Sequence, residues 1–319
     1  MKKFSRTIAL TLFLIMLMTV TANAAALIPG GQVIGLTLED DTVTIIDFDP
    51  TLGAAAKSAG LEKGDRLLQI DRKPIRSAQD VRQALAEGTD RVRLTVERKG
   101  KTKQLTLCPT PTADGPKLGV YLREGITGLG TVTYVDPATG AIAALGHGVN
   151  DQKGDLVALE KGSIYPARVY SVKKGVSGAP GQLLGSVTDS APNGTLEKNT
   201  NQGVFGTCSK ITGTPIETAT AEEVRTGTAT IRSTIDGSAL REYSVEILKI
   251  YPNTDGRTRN MLLKVTDEAL LSATGGIVQG MSGSPIIQNG KLVGAVTHVL
   301  VNDPTTGYGI FIENMLNAA

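Results

Sequence analysis

The chain has few of the residues that build metal centres or disulfide frameworks. Its 319 residues include two cysteines, two histidines and no tryptophan, and aromatic residues make up only 4%. Scattered cysteines and histidines do not supply the close ligand pairs of a zinc site, and no H-E-x-x-H motif is present. The sequence therefore predicts no metal and no cofactor, and it disfavours a metalloprotease. Whether Cys108 and Cys208 pair stays open at this stage.

Net charge and basic clusters are also scarce. Lys and Arg number 33 against 31 Asp and Glu, which leaves a formal charge of +2. No run of basic residues is interleaved with aromatic ones, so nothing indicates an electrostatic surface for nucleic acid. We therefore expect a protein or peptide partner and no nucleic acid.

Only one stretch of the chain is a long apolar run. Two lysines and an arginine precede the apolar residues 7–20, and Ala22-Asn23-Ala24 fits a small-x-small cleavage site. This pattern predicts a signal peptide over residues 1–24 and secretion across the cytoplasmic membrane. Retention of the segment as an anchor stays open. In either case the membrane is contacted through this segment alone.

Glycine is abundant, with 37 residues, and Val, Ile and Thr recur in short alternating runs, so the chain reads as mainly β. The first such pattern spans residues 25–108. Its predicted strands and helices, with a turn at 40–41, cover 32–38, 42–48, 54–59, 66–70, 78–86, 91–98 and 102–107. Three prolines and a glycine then fall within residues 108–117, and we place a linker at 109–117.

The remaining residues, 118–319, read as short strands joined by turns. The strongest signals are two hairpins, at 131–145 and at 285–298, the second turning at Asn289-Gly290. Further strands are predicted at 156–159, 165–172, 228–235, 243–251 and 261–265, with a helix near 267–272. About 200 residues of this kind favour an antiparallel barrel or sandwich.

A glycine-rich turn in this second domain has the form of a nucleophile motif. The run Gly280-Met281-Ser282-Gly283-Ser284-Pro285 resembles the G-x-S-G-[GS]-P motif of chymotrypsin-like proteases. A nucleophilic serine must stand on a tight turn, with N–H groups, here those of Gly280 and Ser282, converging on the developing oxyanion. Ser284 is a weaker alternative, because only Ser282 has glycine at both −2 and +1.

A serine nucleophile needs a neighbouring base, and the chain offers two histidines. His147 follows a predicted strand, stands between two glycines and precedes Ser282, which matches the order of chymotrypsin-like chains. His298 lies on the strand after the nucleophile. It is a candidate for the substrate pocket or for a structural role.

The acid that would orient the histidine is less well defined by the residues alone. Asp267 lies fifteen residues before the candidate nucleophile, a short gap for a chymotrypsin-like chain. Asp151, Asp236 and Asp255 are alternatives that spacing does not exclude.

The first domain resembles the PDZ domains of bacterial exported proteases. The similarity rests on the segment A-G-L-x-x-G-D-x-L-L-x-I, residues 59–70. This resemblance implies a groove in which a peptide adds as a strand and its terminal carboxylate meets backbone N–H groups. By analogy the carboxylate loop would be Val33, Ile34, Gly35 and Leu36.

The chain as a whole resembles the stage IV sporulation protein B (SpoIVB) family of PDZ-containing serine peptidases. The C-terminal 45 residues, the run ALGHGVND and the run GTLEKNTNQGVFG carry the similarity. The resemblance implies a PDZ domain followed by a chymotrypsin-like double β-barrel-type domain, with His147, Asp267 and Ser282 as the catalytic set.

The same resemblance implies a role in regulated proteolysis. It implies self-cleavage and cleavage of a membrane-bound regulator, which activates processing of a sigma factor in the intermembrane space of the developing spore. Two alternatives stay open: an inactive peptidase fold that serves as a binding scaffold, and an esterase that uses the same groups.

Overall fold

The computed structural model describes residues 25–151, 154–209, 211–253 and 257–319, and it is mainly β. The predicted signal peptide 1–24 lies outside these residues. Among the helices that are described, none is long and apolar enough to cross a membrane. The prediction of a mainly β chain is confirmed.

Nineteen strands and four short α-helices make up the regular structure of the described residues. The strands are β1 (Ala26–Pro29), β2 (Val33–Phe48), β3 (Arg66–Ile70), β4 (Lys73–Pro74), β5 (Val92–Arg98), β6 (Lys101–Leu107), β7 (Val120–Val135), β8 (Ala141–Ala144), β9 (Lys161–Lys173), β10 (Gln182–Val187), β11 (Gly194–Thr200), β12 (Gly203–Cys208), β13 (Ile216–Glu217), β14 (Gly227–Thr234), β15 (Leu240–Ile250), β16 (Met261–Val265), β17 (Pro285–Gln288), β18 (Lys291–Leu300) and β19 (Asp303–Phe311). The helices are α1 (Ala54–Ser58), α2 (Ala78–Ala86), α3 (Glu268–Thr274) and α4 (Ile312–Leu316), and a 3-10 turn covers Ala221–Glu223.

Six strands close into a first barrel. Their order is β2, β7, β8, β12, β11 and β9, and the ring is completed because β9 pairs with β2. Alternating apolar residues of these strands, among them Ile34, Leu36, Val132 and Ile164, fill the interior. Closure leaves no exposed sheet edge within the ring.

A second closed barrel follows in the order β14, β15, β16, β19, β18 and β17. The predicted hairpin between β17 and β18 is present, and Asn289 and Gly290 at its turn have φ values of 52° and 77°. Positive φ at both central residues is the geometry that two-residue hairpins prefer. The two barrels pack through a shared apolar cluster that includes Tyr134, Phe205 and Ile310.

The PDZ domain has its own core, built from β3, β5, β6, α1, α2, the second half of β2 and the first residues of β7. The predicted helix 78–86 is present, and Ser77 and Asp80 form its capping box. Gly60, with φ of 87°, follows the end of α1 as expected for a helix stop.

The PDZ domain is inserted into the first barrel rather than placed before it. The first half of β2, from Val33 to Leu38, pairs with β7 and β9 of the barrel, and its second half, from Val43, pairs with the start of β7 and with β3. The predicted turn at 40–41 is a register shift within one strand, because β7 runs alongside both halves. The predicted boundary at residue 25 therefore differs from the structure: residues 33–38 belong to the first barrel, and β1 pairs with its strand β7.

The predicted linker 109–117 is also part of the PDZ domain. Thr110 and Lys117 pair across it, and Leu118 packs in the PDZ core.

Two further points left by the sequence concern the cysteines and the predicted strand at 156–159. Cys108 is exposed and Cys208 is buried, and both are free thiols. No strand forms at 156–159, where Leu156 makes only an isolated bridge.

Candidate active site

Ser282 stands on a tight turn between α3 and β17, at the junction of the two barrels. The flanking glycines, Gly280 and Gly283, have φ values of 99° and 96°, a region that residues with a Cβ rarely adopt. A Cβ on Gly283 would also overlap the carbonyl of Thr131 and the backbone nitrogen of Leu145. The glycines thus allow the turn to form and allow the first barrel to approach it closely.

Two threonines of β7 hold this turn from the first barrel. The Thr131 hydroxyl donates to the Gly280 carbonyl at 2.7 Å, and the Thr133 hydroxyl donates to the Gly283 carbonyl at 2.8 Å. The Thr131 N–H also donates to the Ser282 carbonyl at 3.1 Å. Both side chains are fully buried. Sequence reasoning missed them, although two hydroxyls on the same face of an apolar strand were a visible signal.

The N–H groups of Gly280 and Ser282 are available to an acceptor. Neither donates to a protein group within the described part of the chain. Unpaired N–H groups beside a serine hydroxyl are what an oxyanion hole requires.

His147 follows β8 on a strained stretch of backbone. The Gly146 N–H donates to the Ala144 carbonyl at 2.9 Å, and Leu145 between them has φ of 71°. This is the rare form of γ-turn, in which a branched residue takes positive φ. Gly146 then packs against Thr297 of the second barrel. The turn therefore directs the imidazole into the junction between the barrels.

The His147 ring is oriented by the backbone. Its Nδ1 lies 2.9 Å from the Gly148 carbonyl, which can only accept, so the proton is assigned to Nδ1 and the lone pair to Nε2. Burial lowers the pKa of His147 below its ordinary value, and the hydrogen bond to Gly148 partly offsets this. His147 and Ser282 line one cavity of about 320 Å³, together with Gly280. The structure thus brings the predicted base, nucleophile and oxyanion groups together.

The serine hydroxyls at the turn have different surroundings. Ser282 is partly exposed, and its hydroxyl donates to the Thr297 carbonyl at 2.8 Å. Ser284 is fully buried and donates to Ser233 at 3.1 Å. Of the two, only Ser282 faces the cavity, which agrees with its selection over Ser284.

His298 lies directly beside the predicted base. The ring centroids of His147 and His298 are 5.0 Å apart, with the planes tilted by 39°. Burial, then the charges of His147 and Arg259, lower the pKa of His298 to about 4. Its Nδ1 is buried without a hydrogen-bond partner in the described chain. A neutral ring in this position packs against His147 and restricts its orientation.

Asp267 lies elsewhere, at the N-terminus of α3. Its carboxylate accepts from the N–H groups of Leu270 at 2.9 Å and Ser244 at 3.3 Å, as a helix cap does. Within the described residues no carboxylate hydrogen bonds to His147. The family resemblance implied that Asp267 belongs to the catalytic set, whereas in the structure its carboxylate caps a helix.

Of the other candidate acids, the structure describes Asp236 and Asp151, and each lies in a turn. Asp236 is exposed in the turn between β14 and β15, near Tyr243. Asp151 accepts from the Asp155 N–H in a surface turn. Asp255 lies outside the described residues.

The predicted carboxylate loop of the PDZ domain is in a different place. Residues 33–36 are the first residues of β2, in the part of the strand that pairs with β7 and β9 in the barrel. A cavity of about 500 Å³ instead lies between α2 and the start of β7, closed at one end by residues 115–119. The N–H groups of Leu118 and Gly119 donate to no protein acceptor in the described chain, and Gly119 has φ of 72°. Unpaired N–H groups beside a groove are what the resemblance implied for a carboxylate loop, and they occur at residues 118–119 and not at 33–36.

Comparison with known families agrees with both domains. Residues 115–316 match the model of the SpoIVB peptidase S55 family, and residues 51–98 match a PDZ domain model.

Comparison with solved structures returns distant likenesses. The Rv3671c protease of M. tuberculosis in its active form is 17% identical, with 60% of this chain and 72% of that chain covered and a TM-score of 0.35. The HtrA-type protease AlgW with a decapeptide is 11% identical, with 65% and 56% covered and a TM-score of 0.36.

Among curated proteins, a Rhizobium meliloti protein described as a candidate zinc metalloprotease is 34% identical over 101 residues. That match covers 31% of this chain and 26% of the relative. The chain thus spans about a quarter of the length of the curated relatives it matches.

Proposed function

The chain belongs to the SpoIVB peptidase S55 family, and on this premise we propose that it is a PDZ-containing serine endopeptidase in which Ser282 is the nucleophile and His147 the base. The observation that carries the proposal is the cavity that His147, Ser282 and Gly280 line together. Glycines on either side of the serine and unpaired N–H groups beside it suit acyl transfer through a tetrahedral intermediate.

The proposed reaction begins with a change of hydroxyl partner. The Ser282 hydroxyl leaves the Thr297 carbonyl and turns to Nε2 of His147, whose lone pair the Gly148 hydrogen bond leaves free. Oγ attacks the peptide carbonyl as Nε2 takes the proton, and the N–H groups of Gly280 and Ser282 stabilise the oxyanion. His147 then protonates the leaving amine, and water hydrolyses the acyl-enzyme by the reverse roles.

Backbone and packing supply the support that a carboxylate gives in many serine peptidases. The Gly148 carbonyl selects the tautomer, and the His298 ring packs beside the base. Asp267 acts at a distance in this proposal: it caps α3, the helix that leads into the nucleophile turn.

We place peptide binding by the PDZ domain in the groove between α2 and β7. An extended peptide would pair with the start of β7, and its terminal carboxylate would accept from the N–H groups of Leu118 and Gly119. Arg82 lines this groove and is exposed.

Family membership further supports a regulatory role. We propose that the protein is exported during spore formation, cleaves itself and a membrane-bound regulator, and so activates processing of a sigma factor. The space between the membranes of the developing spore is the proposed location.

The experiment compares the protein from residue 25 onward with its Ser282→Ala variant. Each is incubated alone and with a mixture of peptides from exported domains, and products are identified by mass spectrometry. Cleavage that disappears in the variant establishes the nucleophile. Peptides retained by Ser282→Ala, and lost when Arg82→Glu is added, identify ligands of the PDZ groove.

Three outcomes contradict the proposal. Equal cleavage by both proteins removes Ser282 from the mechanism. Absence of any cleavage with intact peptide retention favours the binding scaffold, and hydrolysis restricted to small esters favours an esterase.

A further inference from the structure

A second, larger cavity adjoins the catalytic one. It has a volume of about 710 Å³ and lies between β10 and the strands β2 and β7. The residues that line both cavities are Leu36, Gly128, Leu129, Gln279 and Gly280. The two spaces therefore form one groove that runs from the nucleophile, past the oxyanion N–H of Gly280, along β10.

The larger part of this groove contains no charged side chain. Charged residues make up 20% of the chain, yet none of the described residues that line this cavity is Asp, Glu, Lys, Arg or His. Its walls are backbone, glycines, serines and threonines, aliphatic side chains, two glutamines (Gln182 and Gln279) and two tyrosines (Tyr165 and Tyr170). A charged substrate side chain would find no partner there and would lose hydration, whereas an apolar one would gain burial.

The backbone of β10 can pair with an extended ligand. Within the described residues β10 pairs with β9 on one side, and only its first residues meet the nucleophile segment, where the Leu183 N–H donates to the Gln279 carbonyl at 2.8 Å. Six residues of strand span about 20 Å, enough for several substrate residues. Main-chain pairing binds extended peptides with little regard to their side chains.

Gly128 lines both cavities, at the place where they join. It lies on β7 opposite Leu36, its φ is not in the left-handed region, and a Cβ added to it would meet no atom within 4 Å. The open space at this position is the space that a substrate chain would occupy.

We propose that this groove binds an extended, uncharged and largely apolar stretch of the substrate on one side of the scissile bond. The proposal rests on the proposed function, since the groove is defined by its continuity with Ser282. It assigns to this peptidase a substrate class: unfolded or flexible segments free of charged residues over several positions on that side.

The first test blocks the passage. In Gly128→Val a side chain enters open space without backbone strain, so the fold is expected to persist. Cleavage of extended peptides should fall about tenfold or more relative to hydrolysis of a small acyl ester. Thr228→Val, on an exposed part of β14, is the matched control and should leave this ratio unchanged. An unaltered ratio in Gly128→Val would overturn the proposal.

The second test places a charged side chain on the wall of the groove. Val187 lines the groove and is 49% exposed, and Leu248 on β15 is 42% exposed and lies outside it. Wild-type cleavage of a random peptide pool should exclude charged residues over several positions on one side only. Val187→Lys should admit acidic residues at one of those positions, and Leu248→Lys should not.

Failure of this inference is distinguishable from failure of the proposed function. Cleavage that tolerates charge equally on both sides, or that Val187→Lys does not alter, rejects the groove assignment while leaving the peptidase intact. If no cleavage occurs at all, binding of uncharged peptides to Ser282→Ala decides instead. That binding should weaken when Gly128→Val is added, and unchanged affinity would reject the inference.

Discussion

His147 is oriented by main-chain atoms and by a second ring. The Gly148 carbonyl fixes the proton on Nδ1, and burial keeps the ring neutral to lower pH than an exposed histidine. A positively charged imidazole would be disfavoured in this cavity, because it would lose hydration and none of the described carboxylates hydrogen bonds to it. His147 is therefore a base of modest proton affinity that is held in a fixed orientation.

This arrangement predicts that, in the pH profile of peptide cleavage, activity on the acid side is lost only at unusually low pH. Since the pKa of His147 is lowered from 6.5, the neutral, base-competent ring persists below that pH and is lost only as pH falls through the lowered value. The apparent pKa of kcat/KM on the acid side should lie below 6.5. A pH–rate profile of peptide cleavage measures it. His298, whose pKa is about 4, remains neutral across the range and should not add a second limb above that pH.

An acid limb at or above 6.5 would contradict this. It would indicate that a carboxylate reaches His147 during the reaction and stabilises the charged ring, as the sequence-based assignment of Asp267 would require.

For individual residues, the sequence was informative where a catalytic group lies in a recognisable local motif or belongs to a rare residue type. Ser282, Gly280 and Gly283 follow from the motif, and His147 follows from the shortage of histidines. Its acid was not predictable in the same way. An aspartate at the start of a helix reads equally well as a cap or as a catalytic group, and three-dimensional placement decides between them.

Among the elements, β7 connects the most parts of the molecule. Its first residues form one wall of the PDZ groove, its middle lines the substrate groove at Gly128, and its end holds the nucleophile turn through Thr131 and Thr133. One strand of sixteen residues thus passes all three sites. A shift of β7 would move the Thr131 hydroxyl and so directly affect the Gly280 carbonyl to which it donates.

The two threonines allow a matched test of this connection. Thr131→Val removes the donor to the Gly280 carbonyl, beside the oxyanion N–H, while Thr133→Val removes an equivalent bond to Gly283. Each loss should cost about 1–3 kcal/mol of folding free energy, because a carbonyl loses its partner in a buried place. Thr131→Val should in addition lower kcat by about tenfold to a hundredfold. Thermal melts and steady-state kinetics separate the two effects.

Equal loss of kcat in both variants would mean that the threonines act on stability alone. Their position on one face of an apolar strand was visible in the sequence, but it was not decisive, because a threonine in a strand serves β propensity as readily as it makes a specific bond. Helices and turns were predicted well for the opposite reason: the capping box at Ser77 and the turn at Asn289-Gly290 are set by neighbours in the chain.

For the whole molecule, the arrangement of domains differs from the linear one that the sequence suggested. Residues 26–38 were expected in the PDZ domain, yet β1 pairs with the end of β7 and the first half of β2 is a strand of the first barrel. Composition cannot reveal such an insertion, because strands of both domains alternate alike. Pairing over more than eighty residues of intervening chain fixes it, through contacts such as Leu38 opposite Ile126.

The insertion predicts which fragments fold. A fragment of residues 118–319, the peptidase domain expected from sequence, lacks β1 and β2 and should show no cooperative thermal transition. A chain in which residues 39–125 are replaced by an Asn-Gly turn, joining Leu38 to Ile126, should melt cooperatively, since these two residues already face each other. Circular dichroism melts of both compare them with the full protein.

Cooperative folding of residues 118–319 alone would restore the linear arrangement. If the shortened chain shows no cooperative thermal transition while the full protein has the expected β content, the PDZ core is needed to hold β2 and β7 together.

The insertion also determines what a single break in the chain can do. Both ends of the PDZ domain are strands of the barrel ring, so a nick in an exposed loop between them leaves each half anchored by its own barrel strand. Trimming from the N-terminus would remove the ring before it reached the peptide-binding module. A descendant gene could lose that module only by an in-frame internal deletion, and a lineage that keeps the barrel tends to inherit the PDZ domain with it.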